Sequence, residues 1–228
     1  MSEPIGIRYS DVGKSYSHGS AETTVLRGVT FDVHPGDYVA LMGPSGSGKS
    51  TLLNLTAGID RPTAGKLMVG TAEPASMSDN ALCDWRSRNV GFIFQRYHLI
   101  DVLRAAENVE VPLLVLGLSR SERRKRAASA LELVGLSDRA NHYPSQLSGG
   151  QEQRVAIARA IVADPSLVLA DEPTGDLDTT SAMEILELLD MLNKLGKTLV
   201  VVTHDPNVAR RAKRTMYLQK GTFSEIAV

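Results

Sequence analysis

Two kinds of apolar spacing divide the chain. Ile5, Ile7 and Tyr9 alternate with polar residues, and Val29, Phe31 and Val33 do the same before the turn His34-Pro35-Gly36-Asp37. A period of two punctuated by Pro-Gly predicts antiparallel strands. Further on the apolar positions close up into short continuous runs within Asp37 to Met42, Val90 to Phe94, Leu167 to Ala170 and Leu199 to Val202. Runs of that length fit strands buried on both faces. Helical segments alternate with them: Leu52, Leu53 and Leu55 lead to a stop at Gly58, and Ala127 to Val134 lead to a stop at Gly135. The alternation after residue 37 predicts an α/β fold, a mostly parallel sheet with helices on both faces. Gly65 to Gly70 is a short alternating strand, and residues 97 to about 163 fit helix. Gly13 to Gly19 is too polar and glycine-rich for a strand core, and residues 74–89 fit a polar connection carrying Trp85 as a packing residue.

Composition narrows the partners. The 228 residues suit one large domain or a domain with an inserted subdomain. A formal net charge of -1 offers no general attraction to nucleic acid or anionic lipid, so no nucleic-acid partner is expected. Cys83, the single cysteine, rules out an intrachain disulfide and a cysteine-based zinc cluster, which favours a reducing cytosolic setting. Met1-Ser2-Glu3-Pro4 has no basic segment leading into an apolar one, and the apolar runs near Val111 to Leu118 and Leu199 to Val202 are too short to span a bilayer. The expectation is no direct membrane insertion, with any membrane role coming through a partner.

The chemistry begins at Gly43-Pro44-Ser45-Gly46-Ser47-Gly48-Lys49-Ser50-Thr51, which fits the phosphate-binding loop pattern G-x-x-x-x-G-K-[ST] between a buried strand and a helix. Its glycines bring backbone N–H groups against phosphate oxygens, and the helix beginning near Lys49 aims its positive end at the same anion. Lys49 is placed to reach the β- and γ-phosphates and Ser50 to ligate Mg²⁺. Asp171 and Glu172 end a buried strand, so the first acid is placed for Mg²⁺ and the second is free to polarise water. Gln95 ends another strand, where its amide either ligates a metal and orients water or simply starts a solvated loop. His204 follows the strand ending at Thr203, at the edge where α/β sheets place ligands. Ser148 and Gln151 have the spacing of a capping box, but Gly149 and Gly150 in that first helical turn each cost about 1 kcal/mol against alanine. An anion approaching the backbone there would account for them. Tyr16, on residue type alone, is an ordinary packed tyrosine.

Taken in order, Gly43 to Thr51, Gln95, Leu147-Ser148-Gly149-Gly150-Gln151, Leu167 to Glu172, Asp178 and His204 resemble the motif set of an ABC transporter ATP-binding subunit. The resemblance runs from about residue 5 to 223. Phe92-Ile93-Phe94-Gln95, Glu107-Asn108-Val109 and Leu169 to Gly175 are similar to the LolD, MacB and FtsE group. It implies one ABC ATPase domain: a P-loop core with an N-terminal antiparallel β-subdomain over about residues 1–95 and 164–228, and an inserted helical subdomain over about 96–163. Tyr16 then matches the aromatic that stacks on adenine, Gln95 the Mg²⁺- and γ-phosphate-sensing glutamine, Glu172 the catalytic carboxylate, His204 the switch histidine and Asp178 the interface aspartate. The resemblance further implies that Ser148 to Gln151 of one copy closes over Mg²⁺ and ATP held by a second copy. It implies a separate integral membrane permease as partner, and a position at the cytoplasmic face of the membrane. Lipoprotein release and macrolide or peptide export are the implied tasks; the alternatives are an FtsE-like division ATPase and a soluble ABC ATPase. Asp176 and Glu152 depart from the group's usual residues and add negative charge near the expected interface. Tyr97, Leu99 and Ile100, following Gln95, either pack within the helical insert or line a groove for a permease helix.

Overall fold

The computed structural model describes residues 3–19 and 21–226. The chain opens with a hairpin, β1 (Ile7–His18) and β2 (Ala21–Val33), and continues into β3 (Tyr38–Met42), helix α1 (Lys49–Thr56) and β4 (Ala64–Val69). Next come α2 (Asp79–Asn89), β5 (Val90–Ile93), α3 (Ala105–Glu110), α4 (Arg120–Leu133) and α5 (Gly149–Ile161). The last stretch holds β6 (Leu167–Asp171), α6 (Thr179–Lys194), β7 (Thr198–Val202), α7 (Pro206–Ala209), β8 (Arg214–Gln219) and β9 (Thr222–Ile226). A three-stranded antiparallel sheet has the order β2-β1-β4, and a six-stranded sheet has the order β5-β6-β7-β3-β8-β9. All neighbours in the second sheet are parallel except β8 and β9.

The continuous apolar runs feed two cores at once. Val168 and Ala170 of β6, with Leu199 and Val201 of β7, join buried residues of α3, α4, α5 and α6. Their alternates, Leu167, Leu169, Val200 and Val202, pack with Leu52, Leu53 and Leu55 of α1 and with Ile7, Tyr9, Val29 and Leu67 of the antiparallel sheet. Successive side chains on a strand point to opposite faces, so a strand between two apolar layers must be apolar throughout. One face of the central sheet is therefore covered by helices and the other by α1 together with the smaller sheet.

Three expectations change. Gly13 to Ser17 continues β1 rather than leaving it: Ser15, Tyr16 and Ser17 pair with Thr24, Thr23 and Glu22 through register shifts at Val12, Lys14 and Ser15. The hairpin partner supplies the ladder, so an apolar core is not needed there. Residues 79–89 form α2, capped by the Ser78 side chain, with only Leu82 fully buried. Residues 97–104 are not helical. The buried Asn108 amide satisfies that loop instead, accepting from Ile100 N–H at 2.8 Å and donating to the Ile100 and Leu103 carbonyls at 3.1 and 3.0 Å. Trp85 packs against the core on the α1 side.

Candidate nucleotide site

At the C-terminal end of β3 the backbone turns through Gly43, with φ 147°, and Gly48, with φ 102°. A Cβ on Gly43 would lie 2.1 Å from the Leu218 carbonyl oxygen and one on Gly48 would lie 2.8 Å from Leu26 Cδ2, so both positions exclude a side chain. Helix α1 follows with no side-chain cap. Its first N–H groups are left for a ligand, and the helix dipole favours an anion there. Lys49 is 8% exposed and donates from Nζ to the Gly43 and Pro44 carbonyls at 2.8 and 2.9 Å, which folds the loop around its ammonium. Ser47 Oγ is buried beneath the loop with no protein partner.

Facing the loop are the ends of β5, β6 and β7. Asp171 closes β6 and its carboxylate accepts a hydrogen bond from Ser50. Burial pushes the Asp171 carboxyl above the usual range, with Glu172 adding to the shift and the Ser50 hydrogen bond and Lys49 opposing it. Glu172 sits in the left-handed region at φ 46°, and its N–H donates to the Val202 carbonyl at 2.9 Å. That conformation costs a non-glycine residue roughly 1–2 kcal/mol and swings the side chain out of the strand's line. Glu172 Oε1 lies 2.8 Å from His204 Nδ1, and Oε2 accepts from His204 N–H at 3.4 Å. The imidazole stands mostly in solvent, whereas the carboxylate is largely buried.

Together these residues enclose a cleft of about 610 Å³ lined by Gly43, Ser45, Gly46, Gly48, Lys49, Ser50, Thr51, Gln95, Asp171, Glu172 and His204. Tyr16 borders it: its hydroxyl donates to Asp60 at 2.8 Å and hydrogen-bonds Thr51. Pro44 and Ser47 support the loop without lining the cleft.

The remaining sequence candidates lie elsewhere. Ser148 caps α5 reciprocally with Gln151, at 3.0 Å from Ser148 N–H to Gln151 Oε1 and 3.4 Å from Gln151 N–H to Ser148 Oγ. Both glycines after it have a reason inside the chain. A Cβ on Gly149 would meet the Tyr97 hydroxyl at 2.9 Å, and one on Gly150 would meet Ser181 Oγ at 2.6 Å. Packing inside the chain thus accounts for the two glycines alongside the anion that the sequence suggested. Asp178 caps α6, accepting from Thr180 and Ser181 N–H at 3.0 Å each and from Ser181 Oγ at 2.7 Å. Those hydrogen bonds, the Ser181 hydroxyl first, hold its carboxyl below the usual range. Leu99, partly buried, packs against the helical core, the first of the two alternatives, while Ile100 is 43% exposed. The open groove, about 530 Å³, lies between α2, β5 and the helical segments and is lined by Asn80, Phe92, Pro112, Val115 and Arg159 among others. Arg159 holds the Tyr97 and His98 carbonyls at 2.6 and 2.5 Å. Sequence reasoning missed Arg159, Lys14 and Asp60. Only Lys14 carried a signal, two residues before Tyr16 on the same strand.

Glycine loop, helix start, lysine and strand-end carboxylates define a nucleoside-triphosphate-binding protein of the P-loop class. The sequence pattern of the ABC transporter family matches residues 26–175. An uncharacterized ABC transporter ATP-binding protein of Thermotoga maritima is 54% identical over 86% of this chain and 83% of its own length. YvrO of Bacillus subtilis, of the same description, is 47% identical over 93% of each chain. The macrolide export ATP-binding/permease protein MacB of Rhodopseudomonas palustris is 49% identical over 91% of this chain but only 32% of its own. A dimeric post-hydrolysis structure of the ATP-binding cassette MJ0796, bound to ADP and Pi, superposes with a TM-score of 0.89 at 43% identity over 97% of this chain and 99% of that one. The chain belongs to the ABC transporter family and is an ATPase of it. Among the described residues no helix is long and apolar enough to cross a membrane.

Proposed function

We propose that two copies of this chain close on two Mg²⁺-ATP molecules, hydrolyse them, and reopen to drive a separate membrane permease. One observation carries the reading: the cleft holds phosphate loop, Asp171, Glu172 and His204 together, yet none of Ser148, Gly149, Gly150 or Gln151 lines it. A capped helix start with an exposed serine is left over in each chain, and on this reading it closes over the nucleotide of the other copy, a reading supported by the dimeric form of the relative bound to ADP and Pi. Asp178, heading α6 beside Gly150 through Ser181, belongs to the same contact.

Within each site the loop N–H groups and Lys49 bind the β- and γ-phosphates, and Tyr16 stacks on the adenine. Ser50 and Asp171, with the Gln95 amide oxygen, are the hard oxygen donors for Mg²⁺. Among the described residues no group of three or more His, Cys, Asp or Glu side chains surrounds a metal position. That donor set fits an ion that keeps waters and takes phosphate oxygens as its remaining ligands. Held by Ser50, Asp171 and Gln95, Mg²⁺ would neutralise charge on the phosphate oxygens. Glu172 takes a proton from the attacking water as the new oxygen–phosphorus bond forms and the bond to the β–γ bridging oxygen breaks, leaving ADP and phosphate. His204 orients Glu172 through the Nδ1 contact and lies where a γ-phosphate can be reached from its other side.

A permease partner is supported by the MacB relative, whose name joins ATP-binding to permease and of whose polypeptide this chain matches a third. A short permease helix sits in the groove lined by Pro112 and Val115, placing the protein at the inner face of the membrane. Residues 96–163 move as the helical subdomain against a core of residues 1–95 and 164–228. Cargo of the MacB and LolD kind, a macrolide, peptide or lipoprotein, is selected by the permease. The test is Mg²⁺-dependent ATPase activity together with an ATP-induced doubling of mass in light scattering. A chain that hydrolyses ATP at full rate as a strict monomer would refute the shared site.

A further inference from the structure

Tyr16 is held at two points. Its hydroxyl donates to Asp60 Oδ2 at 2.8 Å, and the Lys14 ammonium sits over its ring, 4.7 Å from the centroid. The same ammonium donates to Asp60 Oδ1 at 2.6 Å and to the Arg61 carbonyl at 2.8 Å. One carboxylate therefore bridges ammonium and phenol, and the ring cannot swing without breaking a charge-assisted hydrogen bond. Burial works against the charge on Asp60, yet hydrogen bonds from Lys14, Tyr16 and the Arg61 amide hold its carboxyl below the usual range. Lys14 is 8% exposed, whereas Tyr16 is 41% exposed. A buried ion pair is weak evidence of stabilisation, since an apolar pair fills the same space without the desolvation cost. What this pair does achieve is to fix an exposed aromatic ring beside Thr51, a residue of the phosphate cleft.

We infer that Lys14 and Asp60 are positioning residues for the nucleobase: they lock the Tyr16 ring, one face against the ammonium, so that a base stacks on a platform already ordered before it arrives. The inference rests on Tyr16 being the adenine platform, as proposed above. Immobilising a free side chain on binding weakens affinity by about two- to tenfold, and a ring fixed in advance escapes that loss. Stacking on a fixed π-face tolerates any base, so the device adds affinity for nucleotides over bare phosphates rather than choice among bases.

Calorimetric titration of the intact protein with Mg²⁺-ADP and with Mg²⁺-pyrophosphate separates base from phosphate binding. Lys14→Met keeps the aliphatic stem and removes the charge; Tyr16→Phe keeps the ring and removes the hydroxyl at a half-exposed position. Each should weaken ADP by about two- to tenfold and leave pyrophosphate within about twofold, and Lys14→Arg should restore most of the ADP affinity. Tyr16→Phe decides the matter alone if Lys14→Met does not fold. Equal losses for both ligands would overturn the inference, showing a distorted phosphate loop. So would unchanged ADP binding in Tyr16→Phe and Lys14→Met while Tyr16→Ala weakens it. If Tyr16→Ala itself leaves ADP binding unchanged, the adenine-platform reading fails and this inference falls with it.

Discussion

Replacing Glu172 by glutamine separates its chemistry from its structural part. The two side chains are nearly isosteric, and the backbone at φ 46° is as strained for one as for the other. The fold loses at most the charge in the contact with His204, whose ring is 74% exposed. Glutamine still hydrogen-bonds the His204 ring, so the loss is within the roughly 1 kcal/mol net value of one such contact. In a domain of this size that corresponds to a fall in Tm of no more than about 2–4 °C. Catalysis loses far more, because an amide cannot take the proton of the attacking water, and a positioned base contributes about 10²- to 10⁴-fold. At 1.36 kcal/mol per decade the barrier rises by about 2.7–5.5 kcal/mol while the native state hardly changes. Glu172→Gln should therefore bind Mg²⁺-ATP, turn over at about a hundredth of the parental rate or less, and collect as an ATP-bound dimer on gel filtration. Steady-state phosphate release, thermal melting and gel filtration read the three quantities separately. Turnover at the parental rate would assign the proton to another group. A fall of 10 °C or more in Tm would show that the His204 contact holds the loop, and the rate loss would no longer report chemistry.

Mixing Lys49→Ala chains with Ser148→Arg chains, each inactive alone, should restore part of the activity, because one of the two shared sites in the mixed dimer is intact; silence in a mixture shown to contain mixed dimers would exclude independent composite sites. Gly150→Ala should cost about 1–2 kcal/mol, the overpacking against Ser181 exceeding the helical gain, and Ser181→Gly in the same chain should make the pair less damaging than the sum in urea titrations. Leu99→Asp should destabilise the fold, since Leu99 packs on the helical core, whereas Val115→Asp at a 68% exposed groove position should leave the melt unchanged and weaken capture of the permease. Burial and then Asp101 raise the Glu152 carboxyl, so the folded chain holds that proton more tightly than the unfolded one. The associated stability is present below the ordinary carboxylate range and lost as pH rises through the elevated value; Glu152→Gln should flatten the Tm–pH curve across that mildly acidic window.

The parts of this molecule that were legible in sequence are those whose physics is local. Gly43 and Gly48 must be glycine because a carbonyl and a leucine stand where a Cβ would go, and the pattern around Lys49 announces that geometry within nine residues. Strands β6 and β7 were legible because each feeds two cores and so must be apolar at every position. Helix α2 was not, because it buries one leucine fully and shows no apolar stripe. The loop at 97–104 reads as helix in sequence because its polar groups are satisfied by the side chain of Asn108, further along the chain. Lys14 and Asp60, 46 residues apart, meet only in the folded state, and no spacing announces their pairing. The reason for Gly150 was equally hidden, since Ser181 arrives from another helix.

Helix α5 joins three stretches that the sequence presented as separate motifs: the Ser148–Gln151 turn, the loop after Glu172 and the segment after Gln95. Its first turn carries Ser148 as cap and the Gly149–Gln151 stretch. In its second turn the fully buried Gln153 donates from Nε2 to the Pro173 carbonyl at 2.7 Å, tying the helix to the loop that follows Glu172. In its last turn Arg159 grips the Tyr97 and His98 carbonyls, two and three residues beyond Gln95, and also lines the open groove. At 1.5 Å per residue these contacts are spread over about 16 Å of one helix. Its Val155, Ala156, Ile157 and Ala158 are all fully buried, so the helix cannot flex between its ends without opening the core. A displacement of the segment after Gln95 must then pass through Arg159 into a shift of the whole helix, and so of the cap at Ser148. An occupant of the groove that bears on Arg159 acts on the same rigid body from the other side. Because such coupling is reciprocal in binding free energy, whatever nucleotide does to the groove, an occupant of the groove must do to nucleotide binding by the same factor.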